Sequence, residues 1–141
     1  MNDAATHFAS SQGGTPADVG KYVDRTAIEA AEILPGLRFQ PVIGTNALLN
    51  FVSYEPHSEA PLHTHEEEQI VLVLEGELHF HVNGHDRVLR PGDVVVVPPW
   101  VPHGAHTLDV PCLQVDFFTP ARETLRRQAI AAIPGSSVQC S

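Results

Sequence analysis

From Leu37 onward the chain is a succession of short β-rich runs, cut apart by glycine, proline and one Asn-Gly pair. The runs are LRFQPVI, ALLNFVSY, QIVLVLE, ELHFHV, RVLR, DVVVVP, GAHTL and CLQVDFF. About eight strands at that spacing predict an all-β sandwich or barrel. Asn83-Gly84, between the alternating ELHFHV and the short RVLR, is a hairpin signal, because a type I′ turn needs positive φ at both central residues. Val94 to Val97 do not alternate, which predicts a strand covered on both faces in the middle of the barrel.

The flanks differ. RTAIEAAEIL has a helical look but runs into Pro35-Gly36, so it reads as one turn or a strand lead-in. Residues 121–133, ARETLRRQAIAAI, carry good helix formers with Leu125, Ile130 and Ile133 available for packing, and predict a short closing helix. The expected organisation is a loose polar arm over 1–22, a single domain over 23–133 and a frayed tail over 134–141. A length of 141 residues suits one core.

Charge and cysteine usage narrow the function classes. A net charge of −9 argues against a nucleic-acid partner, whose binding rests on Lys and Arg releasing counterions. No apolar run approaches a membrane span, and the opening residues lack the basic-then-apolar order of a secretory leader. Cys112 and Cys140 show no Cys-x-x-Cys spacing and suggest no disulfide framework, which points to a reducing cytoplasm.

Two pairs of histidines share the His-x-His spacing, which puts both rings on one face of a strand. His79 and His81 alternate with Leu78, Phe80 and Val82 and read as the polar outer face of a sheet. His63 and His65 stand in a different context, APLHTHEEEQIVLVLEGEL, ahead of an apolar strand and of a second block, RPGDVVVVPPWVPHGAH, that supplies His103. Glu66 and Glu67 read as a solvated loop, and His7, His85 and His106 are not favoured as ligands.

This two-block arrangement resembles the cupin family, whose expected fold is a jelly-roll-like double-stranded β-helix. In the first block His63, His65 and Gly76 fit, and the family's glutamate position falls on Gln69; in the second, Gly92, Pro98 and His103 fit. His57, Trp100 and Thr107 stand where the family has Gly, Gly and Asn. The resemblance implies one divalent metal ion (Zn, Ni, Fe or Mn) held by His63, His65, Gln69 and His103. Strand parity puts Gln69 with Val71 and Val73, and Glu68 with Ile70 and Leu72. Glu68 reaching round, or three histidines alone, are the alternatives for the fourth position, and histidines lining a metal-free pocket the alternative for the set. Three imidazoles and one neutral amide leave the ion's charge uncompensated, which favours an anionic oxygen ligand.

Near the end of the strand series Cys112, Gln114, Asp116 and Phe118 share one face. Gln69 with Asp116, Phe118 and Arg122 resembles the KdgF-like cupins that linearise 4,5-unsaturated uronates, and less closely the cupin polyketide cyclases. That resemblance implies that Asp116 shuttles a proton, that Phe118 walls the pocket, and that Arg122 holds a carboxylate by a two-pronged hydrogen bond. Trp100 and Phe118 near the mouth suit binding of a flat or apolar substrate. Asp116 capping a strand end and Arg122 starting a solvated helix face is the structural alternative. Val71 departs from the pattern, since those enzymes carry a second glutamine there. The expected function is a non-redox metal enzyme of isomerase, cyclase or lyase type acting on a small anionic or enolisable substrate. An Fe(II) dioxygenase and a non-catalytic binding cupin are the competing classes, and a homodimer is expected by analogy with small cupins.

Overall fold

Alternation along β3 (Leu48–Tyr54) shows how the sheet is made: Leu48, Asn50, Val52 and Tyr54 are buried while the residues between them are only half so. Period-two burial of this kind needs a second layer to close over the inner face. The computed structural model describes residues 7–8 and 13–125. The other strands are β1 (Ala31–Leu34), β2 (Leu37–Ile43), β4 (Glu59–His63), β5 (Glu68–Gly76), β6 (Leu78–Val82), β7 (His85–Leu89), β8 (Val94–Val97), β9 (His103–His106) and β10 (Cys112–Thr119). They form a six-stranded sheet in the order β1-β2-β3-β10-β5-β8 and a four-stranded sheet in the order β4-β9-β6-β7. All pairings are antiparallel.

The all-β expectation is met. Asn83 and Gly84 both take positive φ, joining β6 to β7 with Val82 opposite His85. RTAIEAAEIL supplies both readings offered for it, a single 3-10 turn at Arg25–Ala27 capped by Asp24 and then β1. A helix begins at 123–125, where Leu125 is buried. The remainder of the predicted helix, with Ile130 and Ile133, and the predicted tail lie outside the described residues. Among the described residues no helix is long and apolar enough to cross a membrane.

One strand departs from expectation. β8 is not central but the edge of the larger sheet, with Val97 fully buried and Val94 and Val96 each 55% exposed. Four consecutive valines reflect β propensity and an apolar outer face, and neither requires a covering layer. β4 was not among the eight runs: Pro61 interrupts it and its register against β9 slips between Ala60 and His63, so it carries no alternating pattern.

Two apolar clusters fill the space between the sheets. The larger includes Leu37, Val52, Val73, Leu78, Leu89, Val97 and Cys112; the smaller is Leu48, Phe118 and Leu125. Gly76 ends β5 with φ +82, and a Cβ there would overlap the Pro111 carbonyl, so only glycine lets the β9–β10 connection pass.

Candidate metal centre

β4 and β9 pair so that His63 faces His103, and His65 follows in the loop that leads to β5. The ring centroids are 4.3 Å apart for His63 and His103, 4.8 Å for His65 and His103, and 5.4 Å for His63 and His65. Gln69 enters from the opposite sheet with its Oε1 3.0 Å from His65 Nε2 and 2.9 Å from His103 Nε2. Its neighbour Glu68 is exposed, as the parity of β5 requires.

Hydrogen bonding decides what this cluster can hold. Each Nδ1 faces a backbone carbonyl two residues away: His63 to Pro61 at 2.7 Å, His65 to Glu67 at 3.0 Å and His103 to Val101 at 2.9 Å. A carbonyl only accepts, so Nδ1 carries the proton and a neutral ring presents a bare lone pair at Nε2. Burial favours the neutral ring, drawing His103 down to about 4 and lowering His63 as well. Gln69 donates from its amide nitrogen to Asp116, which turns its oxygen toward the two imidazoles. Lone pairs therefore face lone pairs with no hydrogen between them, an arrangement that a cation resolves. Gln69 Oε1, about 3 Å from two of these nitrogens, also suits a ligand about 2.1 Å from a shared ion, and the three histidine ligand atoms lie within 4.8 Å of one another. The three histidines are the group able to hold a metal among the described residues.

Next to this centre lies a buried acid. Asp116 sits on β10 between Asn50 of β3 and Val71 of β5. It accepts from Gln69 and, at 2.7 Å, from Gln114 Nε2. Burial pushes its carboxyl up to about 7, against those hydrogen bonds and the pull of Arg122. Phe118 is buried with its ring edge-on to His65 at 5.6 Å, and the Arg122 guanidinium lies 5.7 Å from the Phe118 centroid. Arg122 Nε is 3.9 Å from Glu67 Oε1. His63, Gln69, His103, Gln114, Asp116 and Arg122 all line one cavity of about 50 Å³. A groove of about 410 Å³ adjoins it and shares His63, Arg122, Phe39, Ala60 and Leu125 with the cavity wall.

The structure thus gathers His63, His65, Gln69, His103, Asp116, Phe118 and Arg122 in one place. Trp100 is the exception: it is 64% exposed, does not line the cavity, and occupies a turn at φ +66 whose backbone N–H donates to the His65 carbonyl. His57, the other residue at a family glycine position, also takes positive φ, at +57. Both turns keep the left-handed geometry that favours glycine. Thr107 at the Asn position binds the Glu55 carbonyl and accepts from the Ser58 N–H, tying β9 to the β3–β4 connection. Glu67 is not simply a solvated loop residue, since its carboxylate lies 3.7 Å from His65 Nδ1 as well as beside Arg122. His79 and His81 face outward, His79 stacked on His106 and His81 hydrogen-bonded to Asp86.

Asn50 and Gln114 had not been singled out. Each lines the cavity, is buried, and has a carboxamide oxygen with no hydrogen-bond partner. The signal available for Asn50 was a polar residue on the inward parity of an otherwise apolar strand.

Comparison with known proteins agrees with this architecture. The cupin domain family matches residues 50–113. Dimethylsulfoniopropionate lyase DddQ of Ruegeria pomeroyi is 35% identical over 82 residues, 57% of this chain and 41% of that protein, so the chain spans about two fifths of that relative's length. The structure of KdgF from Halomonas sp. superposes with a TM-score of 0.72 at 28% identity, covering 76% of this chain and 99% of that one. An RmlC-like cupin from Shewanella frigidimarina gives 0.71 at 30% identity, covering 76% and 96%. On this fold and these matches, the chain belongs to the cupin superfamily.

Proposed function

We propose that the protein is a metal-dependent enzyme of lyase or isomerase type, with His63, His65, His103 and Gln69 holding one divalent ion. The observation that carries the reading is the convergence of three Nε2 lone pairs and the Gln69 oxygen, each fixed in direction by a hydrogen bond on its other side. An ion bound there supplies Lewis-acid polarisation of a substrate carbonyl or enol oxygen. The relatives include an enzyme named as a lyase, and the Asp116, Phe118 and Arg122 positions match the pattern of uronate-linearising cupins.

The chain's own residues divide the remaining work. Asp116 is the buried carboxyl beside the ligand set and moves a proton at the substrate carbon or oxygen that reaches it. Arg122, partly buried between Glu67 and Phe118, orients a substrate carboxylate. Phe118 seals the wall behind His65 and keeps bulk water from the acid. A homodimer is part of this reading, because Val94, Val96 and Phe117 leave apolar side chains exposed on the larger sheet. Light scattering in solution gives the mass that checks it.

Metal analysis of the purified protein, repeated on Gln69→Ala, tests the ligand set. The expected result is about one ion per chain in the wild type and a clear loss in the variant, with turnover under argon in the presence of zinc or nickel. Unchanged content in Gln69→Ala removes that residue from the ligand set, and turnover that needs both iron and oxygen replaces this reading with a dioxygenase.

A further inference from the structure

We propose that Asn50 and Gln114 form a subsite that reads hydrogen-bond donors on the substrate, so that the ligand carries O–H or N–H groups beside Asp116 in addition to the carboxylate held by Arg122. The proposal rests on the cavity being the substrate site and adds to it the class of molecule accepted.

The two carboxamides are among the most buried polar groups of the protein, Asn50 at 1% and Gln114 at 3% exposure. Both line the cavity, and the oxygen of each has no partner. The orientation of Gln114 is not free. Gln114 commits its nitrogen to Asp116 Oδ1 at 2.7 Å, which turns its oxygen away from the acid. Asn50 stands directly opposite Asp116 in the β3–β10 register, and Gln114 lies two residues along β10 on the same inward face. Three acceptor-bearing side chains therefore stand on the inner face of neighbouring strands. On the β5 side the register partner of Asp116 is the apolar Val71, and Gln69 donates to its carboxyl.

An unpaired buried carbonyl oxygen is costly, and its cost is removed when a donor arrives. Apolar residues of similar shape would have packed that position more stably, so a pair of idle acceptors in a functional cavity marks a place where something else donates. A substrate hydroxyl that reaches the inner end of the cavity supplies that donor on binding. Arg122 is donor-only, whereas Asn50, Gln114 and Asp116 offer oxygens. The site is thus polarised, with a guanidinium toward the groove for a carboxylate and carboxamide oxygens inside for hydroxyls. A hydroxylated carboxylic acid matches both ends. Dimethylsulfoniopropionate, named in the Ruegeria relative, has a carboxylate but no O–H or N–H and leaves both oxygens idle.

Calorimetric titration of the metal-loaded protein with glycerate, propionate and dimethylsulfoniopropionate tests this, since all three share a three-carbon acid skeleton and only glycerate bears hydroxyls. The expected result is that glycerate binds at least about tenfold more tightly than the other two, as one or two net hydrogen bonds imply. Asn50→Leu should erase that preference while leaving metal content unchanged, and should raise the Tm of the ligand-free protein by removing an unpaired acceptor. A glycerate preference that survives both Asn50→Leu and Gln114→Leu is chelation alone and overturns the proposal. So does equal binding of glycerate and propionate by the wild type, or a lower Tm in Asn50→Leu, which would show a structural amide. Metal content is read separately in each protein, so failure of the ligand set registers there and not as a loss of hydroxyl preference.

Discussion

The two ends of the barrel interior are built on the same strands and by opposite rules. Along β10 the inward residues run Cys112, Gln114, Asp116, Phe118; along β5, read back from Gly76, they run Val73, Val71, Gln69. Toward Cys112 the neighbours are Leu37, Val73, Leu78 and Leu89, a close-packed aliphatic core. Burial there pushes the Cys112 thiol up to about 12, so it behaves as a small apolar filler rather than a nucleophile. Toward Gln69 the same sheet encloses three histidines, an acid and two idle carboxamide oxygens. The difference teaches that one end supplies most of the folding free energy and the other gives some of it up to hold groups that a tightly packed core would exclude.

Substitutions at the two ends should therefore separate stability from chemistry. The largest effect is expected for Leu78→Ala in the aliphatic end, which should lower unfolding free energy by about 2–5 kcal/mol in a denaturant titration while the folded fraction keeps its metal content. Loss of metal from the folded fraction would show that the two ends are not independent. Arg122→Ala acts at the polar end and should raise KM for a carboxylate substrate by about 10- to 100-fold, with metal content unchanged and a small shift in Tm. Metal loss in that variant would make Arg122 a structural residue. The smallest effect belongs to Trp100→Gly, which lies outside both ends. Relief of the left-handed turn and the added freedom of glycine oppose each other, so stability should stay within about 0.5 kcal/mol and KM should not move. A marked rise in KM would return Trp100 to the substrate wall.

How much of this was readable in advance varies with the range of the interaction. Strand parity alone separates Gln69 from Glu68, because side-chain direction in a strand depends only on odd or even position. Asn83-Gly84 likewise places the β6–β7 hairpin through local backbone preference. Val94 to Val97 misled because propensity does not report what lies across a face, and β4 was invisible because Pro61 and a register slip erase its alternation. Glu67 was assigned to solvent since nothing in HTHEEE shows that Arg122, far along the chain, returns to meet it. Trp100 was placed by motif position, but its side chain direction follows from a positive φ that the motif reserves for glycine.

Local chemistry in the chain by itself determined an all-β barrel, the Asn83-Gly84 hairpin and the inward parity of Gln69, all of which follow from backbone geometry over a few residues. Only the tertiary structure decided that His103 faces His63 and that Asn50 and Gln114 flank Asp116 with their oxygens unpaired. Those facts depend on which strands become neighbours. Register between segments distant in sequence is set by how the whole core packs, not by any one segment.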